Sequence, residues 1–148
     1  MEFFDLVSAY KAVMLDQLRN KQPHGGASDL INWGLTRTWA GVGDHLPVEV
    51  QAIALGDEVG IVCLPGEIFV ELGLAIKQAS LFRTTLVIEL SGAVETVYVP
   101  TRAAHAGGSY EVTNSTVEAG SGEMLVEAAL KLLGEMAREE KSRREGGS

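Results

Sequence analysis

The chain has 148 residues and a formal net charge of −8, with 46% hydrophobic and 22% charged residues. This length suits one domain with its own core, and the composition is that of a globular protein rather than a disordered one. The negative charge would repel a phosphate backbone, so a nucleic acid is excluded as the expected partner. No apolar run reaches the roughly 18 residues that cross a membrane, so no transmembrane segment is predicted.

The first part of the chain predicts a helix followed by a β-hairpin. Residues 3–19 carry apolar side chains at helical spacing, and residues 20–28 contain one Pro and two Gly and predict a loop. Residues 47–55 alternate imperfectly and predict a strand. Gly56 and Asp57 predict a turn, and the apolar residues 59–64 predict a second, buried strand.

The second part of the chain alternates between helical and extended patterns. It ends in an amphipathic helix and a charged segment. The predicted elements are a helix at 69–80, a strand at 84–90, an extended piece at 96–99, a helical turn at 101–105, a long loop at 106–122, a helix at 122–140 and a disordered tail at 141–148.

This order of elements predicts an α/β fold of the α+β type, in which helices pack on a mixed β-sheet. We expect residues 1–140 to form a single domain that looks like part of a larger one. The N-terminus begins acidic and lacks the basic region of a secretory signal, so the chain taken at face value is expected in the cytoplasm. The single cysteine, Cys63, lies in an apolar run and predicts a buried, inert thiol.

The most informative segment is the one from residue 60 to 71, where an apolar run stops at Pro65 and Gly66 and the carboxylate of Glu67 follows at once. A carboxylate held between a strand and a helix start is well placed to bind or catalyse. The same pattern also fits a helix-start carboxylate that interacts with the helix dipole. The residues alone leave both interpretations open.

Further polar groups follow in two later loops, and they suggest a metal without completing its site. Tyr98, Thr101 and Arg102 stand in the first loop, and His105, Tyr110 and Glu111 in the second. Carboxylate and phenolate oxygens both bind zinc, but a catalytic zinc site usually has three protein ligands. The three histidines form no HxH or HExxH pair. Tyr98 fits a hydrogen-bonded core tyrosine equally well, and a hydrolase with a different metal set that includes His105 remains an alternative.

From about residue 48 to 133 the chain resembles the neutral/alkaline ceramidases, in particular their shorter bacterial relatives. The blocks that carry the resemblance are GIVCLPGE at 60–67, FVELGLAIK at 69–77, YVPTR at 98–102, GGSYE at 107–111 and GEMLVEAAL at 122–130. Each block is short, and their order and spacing together make the resemblance specific.

The resemblance implies a zinc-dependent amidase that cleaves N-acylsphingosine into a fatty acid and a long-chain base. It assigns Glu67 and Tyr98 as zinc ligands. Tyr110, twelve residues past the ligand tyrosine as in the family, is the implied donor to the oxygen that becomes negative during catalysis. Thr101 and Arg102 are the implied substrate-binding residues.

The chain departs from the family in two places. Ala93, Val94 and Glu95 stand where the relatives carry an Asn and a further aromatic residue, and the half that supplies two histidine ligands has no counterpart. We therefore expect the C-terminal part of a ceramidase-like catalytic domain, with little activity alone and an incomplete zinc site. Its expected partners are a lipid-like N-acyl substrate or the missing N-terminal half. The alternative is a non-catalytic binding or oligomerisation module that kept the scaffold, and a homo-oligomer is expected in either case.

Overall fold

A computed structural model describes residues 45–92 and 96–146 of the chain. Contacts divide the chain into two compact units, Met1–Pro47 and Val48–Ser148, and every helix and strand given below belongs to the second. The predicted helix at 3–19 and loop at 20–28 lie outside the described residues, so they stay predictions, as does the single domain from 1 to 140.

The described elements alternate between strands and helices along the chain. The strands are β1 (Gln51–Leu55), β2 (Val59–Cys63), β3 (Glu67–Ile68), β4 (Thr84–Ile88) and β5 (Tyr98–Val99), and the helices are α1 (Val70–Ala79), α2 (Arg102–Gly107), α3 (Tyr110–Thr113) and α4 (Ser121–Gly146).

Three of these strands form a mixed sheet in the order β1-β2-β4. β1 and β2 pair antiparallel, and the turn between them contains Gly56 at a positive φ of 63°. β4 pairs parallel to β2, and the chain reaches it through the crossover helix α1. The predicted α+β class, with helices on a mixed sheet, is therefore confirmed.

The inner face of this sheet packs against α1 and α4, which also contact each other. Alternate residues along each strand point to this face, as the period of a half-buried strand requires. The core that results consists of Val62, Leu64, Leu72, Ile76, Phe82, Val99, Leu125, Ala129 and Leu133. Burial of these side chains is the main source of stability for the unit.

The opposite face of the sheet, which we call the outer sheet face, is exposed and apolar. The strand registers arrange it in three rows, which are Gln51, Cys63 and Ile88, then Ile53, Ile61 and Leu86, then Leu55, Val59 and Thr84. The thiol of Cys63, predicted to be buried, is half-buried at this face, because it falls on the outward phase of β2.

Two predicted boundaries are wrong. α4 continues to Gly146, so residues 141–146 are helical rather than a disordered tail. Side-chain pairs support the added turns, with Arg143 and Lys141 pairing along the helix with Glu140 and Glu145, and Arg144 pairing with Asp57. The predicted loop at 106–122 contains the short helix α3, whose start is capped by the Ser109 hydroxyl group.

Within residues 45–92 and 96–146, no helix is both long enough and apolar enough to cross a membrane. α4 has the length for a span, but charged residues interrupt it.

Candidate functional site

The predicted ligands Glu67 and Tyr98 are direct neighbours on two short parallel strands. β3 pairs with β5 in a separate two-stranded sheet, and its register sets Glu67 opposite Tyr98 and Ile68 opposite Val99. Residues in register on adjacent strands project to the same face, so the carboxylate and the phenol share one side of this small sheet. Neither is sealed in the core, because both are only half-buried.

This placement argues against both alternative interpretations of the two residues. Glu67 lies in β3, and α1 begins only at Val70 with Glu71 in its first turn. Glu71, rather than Glu67, is therefore the residue that interacts with the dipole of α1. Tyr98 lies at the margin of the core rather than inside it.

The turn before Glu67 is held by a close contact with the strand that carries Tyr98. Gly66 has a positive φ of 71°, and a Cβ atom placed there would lie 2.0 Å from the Thr96 Oγ1 atom and 2.8 Å from the Val97 carbonyl oxygen. The Glu67 backbone N–H donates to that same carbonyl oxygen at 2.7 Å. Glycine is therefore required at the point where the two segments touch.

A second carboxylate, that of Glu89, fixes the other side of β3. The Ile68 backbone N–H donates to the Glu89 Oε2 atom at 2.9 Å. Glu89 follows β4 directly, so its side chain links the small sheet to the large one. A charge-assisted hydrogen bond of this kind is stronger than a neutral one and holds the backbone beside Glu67 in place.

The backbone around Tyr98 is constrained as well. Val97 has a φ of 53°, a left-handed conformation that is rare for a β-branched residue and costs on the order of 1–3 kcal/mol. The Ser115 hydroxyl group donates to the Tyr98 carbonyl oxygen at 2.8 Å. These features constrain the backbone at Tyr98 and at the residue before it.

Tyr110 completes an aromatic pair with Tyr98. Their ring centroids are 5.8 Å apart and the rings are inclined at 72°, which is an edge-to-face arrangement. Tyr110 begins α3, and 58% of its surface is exposed. The third predicted site residue is therefore next to Tyr98, which is itself paired with Glu67, and it is accessible to a ligand.

The surroundings of Tyr98 make its phenol harder to ionise than that of an ordinary tyrosine. Partial burial raises the pKa of Tyr98, and the nearby charges of Glu67, Tyr110 and Glu111 and a side-chain hydrogen bond with Tyr110 raise it further. Hydrogen bonds from its own backbone N–H and from Ser109 lower the pKa of Glu111. The site is thus rich in oxygen donors with acidic character, which a cation would stabilise.

We expect the Tyr98 phenol to ionise at a higher pH than an ordinary tyrosine, and the Glu67→Gln variant to lower its pKa without restoring the ordinary value. Glutamine removes the carboxylate charge, whereas burial remains. Because the pKa of Tyr98 is higher in the folded state than in the unfolded state, the protonated phenol contributes to the stability of the fold. This contribution is complete below about pH 10 and is lost as the pH rises through the folded-state pKa. Tyrosinate absorbance, with Tyr98→Phe to identify the signal, measures the shift.

Glu71→Gln is the matched control for this titration, because it removes a carboxylate from the exposed side of α1, outside the causes that raise the pKa of Tyr98. It should leave the Tyr98 titration unchanged. Equal curves for Glu67→Gln and Glu71→Gln would show that the Glu67 charge does not act on Tyr98.

Thr101 and Arg102 have local structural roles. The Thr101 hydroxyl group caps α2 by accepting from the Ala104 backbone N–H at 3.1 Å. The Arg102 backbone N–H donates to the Glu123 Oε1 atom at 2.8 Å, and its guanidinium packs over Gly120. These contacts tie α2 to the start of α4, and a role in substrate binding stays a prediction for both residues.

The described side chains provide only some of the ligands that a metal site needs. In the two described ranges, no group of three or more His, Cys, Asp or Glu side chains is arranged to hold a metal ion. The Glu67 carboxylate and the Tyr98 phenol provide two oxygen donors on one face of the small sheet. His105 lies on α2, and its Nε2 atom is buried without a hydrogen-bond partner in the described part of the chain.

A groove of about 600 Å³ lies at the opposite end of the large sheet. It runs between Asp57 in the β1–β2 turn and the last turns of α4, whereas Glu67 follows the other end of β2. This groove therefore does not belong to the candidate site.

The supporting residues Glu89, Thr96 and Ser115 were not identified from the sequence. Each acts on a segment that is distant along the chain, so no local spacing predicts it. The sequence signals are weak, since Glu89 directly follows β4, Thr96 lies just before β5 and Ser115 lies in a hydroxyl-rich loop.

Comparisons with family models, with curated proteins and with solved structures found no match to this chain.

Proposed function

We propose that the chain is the C-terminal portion of a zinc-dependent amidase that resembles the neutral ceramidases and acts on a lipid-like N-acyl amide. The observation that carries this proposal is the register of β3 and β5, which sets Glu67 opposite Tyr98. The resemblance assigns these two residues as ligands of one metal, and they are paired although α1 and β4 separate them along the chain. Their shared face supports that assignment.

The donor chemistry fits zinc in part. Carboxylate and phenolate oxygens are suitable ligands, and catalytic zinc sites generally have three protein ligands. Bound zinc supplies Lewis acidity, which lowers the pKa of water and polarises an amide carbonyl. Glu67 and Tyr98 would hold one side of the ion, and further donors would come from the histidine-bearing half that the resemblance implies.

Tyr110 is suited to act on the substrate rather than on the metal. Its ring packs against Tyr98, and more than half of its surface is open to solvent. The phenol proton would be donated to the carbonyl oxygen of the amide as that oxygen gains negative charge. Because Tyr98 is adjacent, this donor lies beside the proposed metal position.

Zinc titration tests the proposal. We expect the purified chain to bind zinc weakly, because two ligands are fewer than a catalytic site needs, and Glu67→Gln and Tyr98→Phe each to weaken binding by about tenfold or more. Binding should also tighten as the pH rises, because the Tyr98 phenol must lose its proton to coordinate. Calorimetry at several pH values measures both effects.

Glu71→Gln serves as the matched control and should bind zinc as the unmodified chain does. Equal zinc affinity for Glu67→Gln and Glu71→Gln would exclude Glu67 as a ligand. Tight, near-stoichiometric zinc together with hydrolysis of N-acylsphingosine, both lost in Glu67→Gln, would instead show that this chain contains a complete site.

A further inference from the structure

Two left-handed residues hold one peptide unit of the candidate site from opposite sides. In the described part of the chain, the residues other than glycine with a positive φ are Leu90 at 55° and Val97 at 53°. The Leu90 N–H donates to the Gly66 carbonyl oxygen at 2.9 Å. The Glu67 N–H, on the other side of the same peptide bond, donates to the Val97 carbonyl oxygen at 2.7 Å. Because this conformation is costly for both side chains, its occurrence at both contacts indicates a constraint on that peptide unit.

The left-handed turn at Leu90 adds one residue to the end of β4. The Leu64 N–H donates to the Ile88 carbonyl oxygen at 2.8 Å, as the parallel register of β2 and β4 requires. In a regular ladder the Leu64 carbonyl oxygen would then accept from Leu90. It accepts instead from the Ser91 N–H at 3.0 Å. The extra residue forms a β-bulge, a feature that often occurs beside active sites and redirects a side chain there.

The Glu89 carboxylate replaces a backbone acceptor next to this bulge. Among the described residues the small sheet contains only β3 and β5, so the other side of β3 has no strand to pair with. The Ile68 N–H on that side donates to the Glu89 Oε2 atom at 2.9 Å. This N–H belongs to the peptide unit that follows Glu67, whereas Leu90 and Val97 hold the unit that precedes it. Both peptide units attached to the Glu67 Cα atom are therefore fixed, and with them the direction of its Cα–Cβ bond.

We propose that Glu89 is a positioning residue for Glu67, presented by the left-handed bulge at Leu90. This role rests on the proposed function, in which Glu67 binds the metal and has to stay on the face that it shares with Tyr98. Glu89 acts through the Ile68 backbone rather than on the metal. A carboxylate suits the role because its charge makes the hydrogen bond stronger than one to a neutral acceptor. The strain at Leu90 is the energetic cost of bringing this carboxylate to β3.

Amide hydrogen exchange of the full chain, followed by NMR, tests this role. Glu89→Ala should speed exchange of the Glu67 N–H by at least about fivefold, because the peptide unit that follows Glu67 is released. Glu89→Gln should keep most of the protection, since its side-chain oxygen can still accept from Ile68. The N–H of Val62, which is fully buried in β2, is the internal reference for global opening. An unchanged exchange rate of Glu67 in Glu89→Ala would overturn the proposal.

Zinc titration provides a second measurement. Glu89→Ala should weaken zinc binding by about fivefold or more, whereas Glu89→Gln should bind zinc nearly as the unmodified chain does. Glu58→Ala is the matched control, because it removes the same exposed side chain from the opposite end of the large sheet, where Glu58 pairs with Arg83. Equal affinities for Glu89→Ala and Glu58→Ala, with weaker binding by Glu67→Gln, would refute the positioning role. If Glu67→Gln binds zinc normally, the proposed function fails, and the exchange rate of Glu67 alone decides whether Glu89 positions it.

Glycine substitutions test the strain at Leu90. Leu86 lies in the regular part of β4 and is the matched residue, since 48% of Leu86 and 53% of Leu90 are exposed. Glycine adopts a left-handed φ without strain but weakens a regular strand. The urea midpoint of Leu90→Gly should therefore exceed that of Leu86→Gly by about 0.5 M or more. Equal midpoints would show that Leu90 is not strained and would overturn the bulge as the element that presents Glu89.

Discussion

Replacing Gly66 with alanine is expected to lower the free energy of unfolding by about 3 kcal/mol or more and to weaken zinc binding as well. The new methyl group would lie 2.0 Å from the Thr96 Oγ1 atom and 2.8 Å from the Val97 carbonyl oxygen, at a φ of 71°. Backbone has to move to relieve the second contact. That movement would break the hydrogen bond from Glu67 to Val97 and separate the two proposed ligands. Urea denaturation measures the stability.

Gly56→Ala separates the clash from the effect of the positive φ. Gly56 has a similar φ of 63°, and nothing lies within 4 Å of the position that its Cβ would take. We expect it to cost only about 1–2 kcal/mol, from the left-handed conformation alone. Adding Thr96→Ala to Gly66→Ala should recover part of the loss. Equal destabilisation by Gly56→Ala and Gly66→Ala would show that the contact with Thr96 has no effect.

Replacing Leu133 with alanine is expected to lower the free energy of unfolding by about 3–4 kcal/mol. Leu133 is fully buried on α4, and its side chain packs directly on the backbone of β2 at Gly60. The substitution leaves a cavity between α4 and the sheet, where neither side can close in without losing its other contacts. Thermal or urea denaturation measures the change.

Met124→Ala on the same helix is the control for Leu133→Ala. Met124 is 68% exposed, so its removal should change stability by no more than about 0.5 kcal/mol. Similar effects of Met124→Ala and Leu133→Ala would mean that α4 does not pack on the sheet through Leu133.

The local parts of the fold could be predicted because their signals are local. The β1–β2 hairpin follows from two apolar runs around Gly56 and Asp57, and α1 follows from apolar residues at helical spacing. The end of α4 was missed because its last turns are almost entirely charged, which is also the composition of a disordered tail. The charge pairs within the helix have spacings of three and four residues, which favour a helix, and the pairing of Arg144 with Asp57 becomes visible only in three dimensions.

The candidate site could be predicted as a set of residues and not as an arrangement. Glu67, Tyr98 and Tyr110 were identified as a group, and the structure brings them together. β3 and β5 have two residues each, which is too short for any periodicity to reveal. The Ile68–Glu89 and Tyr98–Ser115 hydrogen bonds join segments that are distant along the chain, so no local spacing predicts them.

The parallel pairing of β3 with β5 has a consequence for how the chain folds. Between these strands the chain forms all of α1 and β4, so the pair closes a long loop and can form only once that loop has compacted. We therefore expect Glu67 and Tyr98 to meet late in folding, as non-local contacts do. A cation bound by both residues would therefore stabilise the folded state, because it binds only after the two strands have paired, and it would not speed the earlier steps of folding.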